Sequence, residues 1–134
     1  MKLGFDLDGV LADFNTAFYA RLLVVLGKDL FPDEGPYNPR QPPVWEWPRH
    51  FGYTEEEEHK VWESCWDDPA FWKHLGEETD AALTLIALDE IARDGHDVYF
   101  ITNRKGVKAK RQTEEWLEAR GIYFPTVLIA KDKL

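Results

Sequence analysis

Two aspartates two residues apart, Asp6 and Asp8, close a short apolar run, Leu3-Gly4-Phe5-Asp6-Leu7, and are followed at once by Gly9. In an extended strand this spacing sets both carboxylates on one face, about 6–7 Å apart along the chain. Two close carboxylates repel unless a cation keeps one ionised or a proton neutralises the other. Such a pair suits phosphoryl transfer. One carboxylate attacks phosphorus; the other protonates the leaving oxygen and later activates water. Gly9 lets the chain turn away sharply, with backbone N–H groups free near a phosphate. An Asp-x-Asp alone is common on surfaces. Its place at the end of an apolar strand, before a glycine, favours chemistry over a solvated turn.

Two further groups join the pair by topology. His96 to Ile101 reads as a second strand, with Val98-Tyr99-Phe100-Ile101 at its heart, and Thr102-Asn103-Arg104 follow it. Pro125 to Ala130 reads as a third strand, followed by Lys131-Asp132-Lys133. In open α/β sheets ligands bind outside the carboxyl ends of the strands, which collects all three groups at one edge. Thr102 and Asn103 then offer donors to phosphoryl oxygens, and Lys131 or Lys133 offers positive charge against the negative charge that develops. A magnesium ion, held by carboxylates and water, would complete the neutralisation.

The elements that must position these groups alternate strand and helix, which predicts a parallel α/β sheet. Asp13 is placed to cap a helix running to about Leu26 and ended by Gly27. Thr54-Glu55-Glu56-Glu57 is a capping-box sequence. Thr79 or Asp80 is expected to cap a helix ended by Gly95, and a basic amphipathic helix is expected over Val107–Arg120. Between them, residues from about Asn15 to Glu78 carry no strand pattern and a different composition. The prolines and aromatics of Phe31–Pro48 exclude a regular helix there and suggest an ordered irregular segment. The expected division is a core of 1–14 and 79–134, with a helical, aromatic-rich cap at 15–78.

The bulk numbers fit this reading. With 134 residues, 44% of them hydrophobic, the chain has room for one domain with a small inserted module. A formal net charge of −9 disfavours duplex DNA and anionic lipid surfaces, though not a small anionic substrate. One cysteine, Cys65, leaves no disulfide framework and no Cys-rich zinc site. No run approaches the roughly 18 apolar residues of a membrane span, and the first residues are no signal peptide, so a cytoplasmic protein is expected. A homodimer is compatible with the sequence.

Asp6-Leu7-Asp8-Gly9-Val10-Leu11-Ala12-Asp13-Phe14 resembles motif I of the haloacid dehalogenase superfamily of phosphatases. Ile101-Thr102-Asn103-Arg104 is similar to its motif II, and Leu128 to Lys133 resembles its motif III. The insert after motif I looks like a C1-type cap. Within the superfamily the likeness is greatest to 5′(3′)-deoxyribonucleotidases, and it spans essentially the whole chain. The resemblance implies a Rossmann-like parallel sheet with helices on both faces. It also implies Asp6 as nucleophile through an aspartyl-phosphate, and Asp8 as general acid/base. Asp6 and Asp8 would hold Mg²⁺, the latter through its backbone carbonyl. Thr102 would bind phosphate and Lys133 would steady the intermediate. The family's acidic motif IV should follow one more strand, yet no Asp or Glu follows Lys133. The last strand is therefore expected to be missing, leaving an unpaired sheet edge and a question over turnover.

The cap holds five of the six tryptophans. A stacking pocket for a nucleobase over the Asp pair is one reading, and Phe18 and Trp45 are the candidates for it. The plainer reading of any single tryptophan is core for a small cap. Gly9, Asn103, Arg104 and Lys131 complete the expected substrate contacts. The favoured function is hydrolysis of a nucleoside monophosphate. The alternatives are a sugar phosphate or other small phosphorylated metabolite, and a degenerate domain that binds phosphate without turnover. The Lys105–Arg111 cluster reads mainly as a solvated face, and the four histidines lack any metal spacing.

Overall fold

The computed structural model describes residues 1–31, 42 and 44–130. In chain order its elements are β1 (Lys2–Phe5), β2 (Ala12–Asp13), α1 (Phe14–Leu26), α2 (Trp47–His50) and α3 (Glu55–Asp67). A 3-10 turn (Trp72–His74) follows, then β3 (Gly76–Glu77), α4 (Ala81–Arg93), β4 (Asp97–Thr102), α5 (Ala109–Glu118) and β5 (Thr126–Ile129). The strands β1, β4 and β5 form one parallel sheet in the order β1-β4-β5. Phe5 pairs with Phe100, Phe100 with Val127, and Thr102 with Ile129, so the three carboxyl ends are aligned. The expected α/β class with a parallel sheet is the one observed.

Why these segments take these forms is local. The Asp13 carboxylate accepts from the Thr16 N–H at 3.2 Å, capping α1, and Gly27 ends the helix in a left-handed conformation. Thr54 and Glu57 form both bonds of the capping box that opens α3. Other expectations shift. Asp80 sits at the N-cap of α4 but in a left-handed conformation, and its side chain makes no capping bond. The helix after β4 begins only at Ala109, because Lys108 is left-handed. The proline-rich stretch ends in one helical turn, Trp47–His50, where Pro48 lies in the first turn and its missing N–H costs nothing.

The apolar run Leu3–Leu7 reads as a buried strand in the sequence, but the residues of β1 alternate exposed and half-buried. The cause is its place at the end of the sheet, where it pairs with β4 alone among the described residues. In register, Leu3, Phe5, Val98, Phe100 and Val127 share one sheet face and meet the core. On the opposite face Gly4, Tyr99, Ile101 and Leu128 are not buried.

The insert does contain strand. Ala12–Asp13 and Gly76–Glu77 pair antiparallel, and the Glu78 N–H bonds the Leu11 carbonyl at 2.8 Å. This small ribbon ties the outgoing chain to the returning one at the base of the insert. Two-residue strands carry too little pattern to be seen in a sequence. Above the ribbon, α1 packs on α3. One apolar cluster runs from Leu7, Phe100 and Val127 through Leu85, Leu88, Trp116 and Leu117 to Phe18, Leu22, Trp47 and Val61. Each such fully buried side chain contributes roughly 2–3 kcal/mol of transfer free energy.

Candidate active site

The turn that carries the two aspartates is folded on itself. Leu7 and Leu11 are both fully buried and pin it to the core. The Leu7 carbonyl accepts from the N–H groups of Val10, Leu11 and Ala12, and the Gly9 N–H donates to the Ala12 carbonyl at 3.0 Å. Gly9 takes φ +79°, which a side chain would strain. The amides from Gly9 to Ala12 are thus used within the turn. The expectation that they stand free beside a phosphate is corrected: a turn this tight satisfies its own donors. What the turn presents outward is the pair of carboxylates.

Asp6 and Asp8 line a cleft of about 490 Å³ with Gly9, Asn103, Phe14, Asn15, Phe18, Trp45, Glu46, Trp47, Pro48, Glu58 and Trp62. That volume is in the usual range for small-molecule sites. One wall is the strand-end turn, polar and acidic. The other is the insert, aromatic. Phe14 stacks on Trp62 with centroids 5.2 Å apart, and Phe18 lies tilted against Trp62 at 4.8 Å. Trp47 donates through Nε1 to the Asn15 side-chain oxygen at 3.2 Å. Trp45 is 90% exposed, a ring held out beside the cleft rather than packed. Two other hollows, of about 220 and 560 Å³, lie at the amino ends of the strands and between α4 and the end of α5, away from the Asp pair.

The Asp8 carboxylate is gripped from behind. Arg104 donates to it through Nε at 3.1 Å and Nη2 at 2.7 Å, and through Nη1 to the Thr113 hydroxyl at 3.0 Å. Its guanidinium also lies 4.9 Å above the Trp72 ring. Thr102 is fully buried, and its hydroxyl accepts from the Arg104 N–H at 3.3 Å. Asp6 Oδ1 accepts from the Leu7 N–H at 2.8 Å.

The loop from Asn103 to Lys108 is fastened to the insert. Val107 N–H bonds the Trp66 carbonyl at 3.0 Å, and a Cβ on Gly106 would stand 2.2 Å from that carbonyl oxygen. Gly106 also has φ +110°, so only glycine fits this close approach. Gln112 is the other tie. Its Oε1 accepts from the Trp72 N–H at 2.8 Å and the Lys73 N–H at 3.3 Å. Its Nε2 donates to the Val107 carbonyl at 2.7 Å and the Asp68 carbonyl at 3.3 Å.

Of the residues singled out in the sequence, Asp6, Asp8, Gly9, Asn103, Phe18 and Trp45 come together around this cleft. Thr102 and Arg104 stand behind it, their side chains buried. Lys131 and Lys133 lie outside the described residues. Unforeseen were Phe14, Asn15, Glu46, Trp47, Glu58 and Trp62 on the cleft wall, and Gln112 and Thr113 behind it. Phe14 stood in the sequence only as the end of the motif I segment, with no signal that set it on the cleft wall. Cys65 is buried, and burial pushes its thiol up to about 11, which leaves it unreactive at neutral pH. Arg111 is engaged with Glu115 and Glu118 on an exposed face.

No protein-family model matches the chain. In an alignment of 129 positions that covers 93% of the chain, it is 31% identical to a Bacillus cereus protein described as "Putative nucleotidase". The chain spans 60% of that relative's length.

Proposed function

We propose that this chain hydrolyses a phosphomonoester, most suitably a nucleoside monophosphate, through Asp6 as nucleophile. The observation that carries the reading is the cleft itself: two carboxylates from one strand end facing a wall of aromatic rings. The similarity to a protein described as a nucleotidase supports the same substrate class. An Asp6 oxygen attacks phosphorus as the ester P–O bond breaks, and Asp8 supplies the proton to the departing oxygen. Asp8 then takes a proton from the water that cleaves the aspartyl-phosphate. Asn103 and Lys133 are assigned to the phosphoryl oxygens and Phe18 and Trp45 to the base, while the fully buried Thr102 is assigned to holding the Arg104 backbone behind the cleft.

Magnesium belongs to this proposal. Among the described residues no cluster of three or more His, Cys, Asp and Glu side chains surrounds one point. Arg104 holds the Asp8 carboxylate; the Asp6 carboxylate and, as the family resemblance implies, the Asp8 backbone carbonyl are the oxygens assigned to the ion. Hard oxygen donors of this number suit Mg²⁺, which keeps several waters and takes substrate phosphate oxygens. Bound there, it would offset negative charge on the phosphoryl group.

The test is phosphate release from a panel of nucleoside 5′- and 3′-monophosphates and sugar phosphates with Mg²⁺. EDTA and Asp6→Asn serve as controls. The expected result is metal-dependent release that falls by about 10⁴-fold in Asp6→Asn. Release that survives Asp6→Asn would remove Asp6 from the mechanism. The second reading, nucleotide binding without turnover, is an outcome of the same test. Calorimetric binding with no release by the folded chain would select it.

A further inference from the structure

We propose that Arg104 is a positioning residue: its buried guanidinium fixes the Asp8 carboxylate at the cleft, and it does not itself hold the phosphoryl group. This rests on the phosphohydrolase reading above and deepens it. The Arg104 side chain has 0% exposure, so none of its atoms reaches the cleft surface, whereas the Asp8 side chain keeps 22%. A planar guanidinium matches a carboxylate edge to edge, and here both oxygens of Asp8 are engaged, at 3.1 and 2.7 Å. A carboxylate has about four lone-pair sites. The fork uses one on each oxygen and leaves the others for substrate and water.

The fork is itself held from three sides. Thr113 accepts from Nη1 at 3.0 Å and its hydroxyl donates to the Ala109 carbonyl at 2.8 Å, which fixes the hydroxyl. The Trp72 ring lies 4.9 Å below the guanidinium, and its Nε1 is bonded to the Lys105 carbonyl at 2.9 Å. The Arg104 N–H bonds the Thr102 hydroxyl. The helix α5, the end of the insert and the end of β4 therefore all converge on one cation whose only carboxylate partner in these bonds is Asp8. A buried cation is strongly destabilising unless it is paired. That cost makes the Asp8 position a property of the fold rather than of a flexible turn. Misplacing a reacting group by about 1 Å can cost on the order of 100-fold in rate.

The test is Arg104→Lys, which keeps the charge and loses the fork, with Mg²⁺ present. Two substrates are compared. A nucleoside monophosphate needs its leaving oxygen protonated, whereas dinitrophenyl phosphate does not. The expected result is a loss of about 100-fold in kcat/KM for the first and less than about threefold for the second. Inhibition by inorganic phosphate should stay within about twofold of wild type. Thr113→Val should show the same leaving-group selectivity at smaller size. Equal losses for both substrates, or weakened phosphate inhibition, would overturn the proposal in favour of a structural or phosphate-binding Arg104.

An activity-independent arm is a urea-unfolding double-mutant cycle of Asp8→Asn and Arg104→Lys. Coupling of tenfold or more in the folding equilibrium is expected, and its absence would overturn the proposal whatever the activity. Coupling with no turnover by the wild type would remove the phosphohydrolase reading and leave the placement of Asp8 by Arg104 supported.

Discussion

The two walls of the cleft are held by opposite means. Behind the strand-end wall, few side chains make many directed bonds: Gln112 alone joins four backbone groups, and Arg104 joins Asp8 to Thr113. The insert wall is a web of rings in which Phe14 and Phe18 each touch several others. Directed bonds fix one geometry and fail when a partner is lost, since the group left behind is buried and unsatisfied. Ring packing is undirected: exchanging one apolar side chain for another of similar volume costs little. The wall assigned to chemistry is therefore the one built to resist displacement, and the wall assigned to a substrate's base is the one able to adjust.

This contrast can be broken by substitution. The largest effect should come from Gln112→Leu, a substitution of similar size that strands the buried Trp72 amide and the part-buried Lys73 amide. A loss of about 3–4 kcal/mol in urea unfolding is expected. A loss under 1 kcal/mol would show that the directed bonds matter no more than packing. Trp62→Phe probes the other wall. Trp62 is half-buried and stacks at 5.2 Å on Phe14 and 5.9 Å on Trp66, so the expected cost is about 1 kcal/mol by the same method. A cost as large as that of Gln112→Leu would erase the distinction.

The smallest effect belongs to an ion pair at the rim of the insert, Arg21 with Asp68. The Arg21 guanidinium holds the Asp68 carboxyl below its usual 3.8. A carboxylate depressed in the folded state adds stability that is full above its unfolded value and is lost as pH falls through its folded value. The pair is about a quarter exposed, so its contribution should stay below about 1 kcal/mol. The difference between wild type and Asp68→Asn should be present at pH 7 and vanish toward pH 2. A difference that persists in acid would mean the Asp68 backbone and packing contacts carry it.

Local chemistry was legible wherever a few adjacent residues settle a form. Asp13 and Gly27 bracket α1, and the Thr54–Glu57 box opens α3, because capping satisfies donors within one turn of the chain. The apolar cores of β4 and β5, and the placing of Asp6 and Thr102 at strand ends, follow from periodicity and the parallel-sheet rule. The left-handed turns at Asp80 and Lys108 were hidden, since nothing in either side chain demands that conformation. So was the exposure of β1, whose apolar residues read as core although the sheet pairs them on one side only.

The sequence by itself determined that two carboxylates would stand at the end of the first strand, and that an aromatic insert would follow them. Only the tertiary structure decided how they stand. It set Arg104 behind Asp8, ninety-six positions away in the chain, and Gln112 across the exit of the insert forty positions on from Trp72. Periodicity reports which face of an element is apolar. A buried hydrogen bond between distant residues has no period, and its geometry exists only once the elements that carry its two ends have packed.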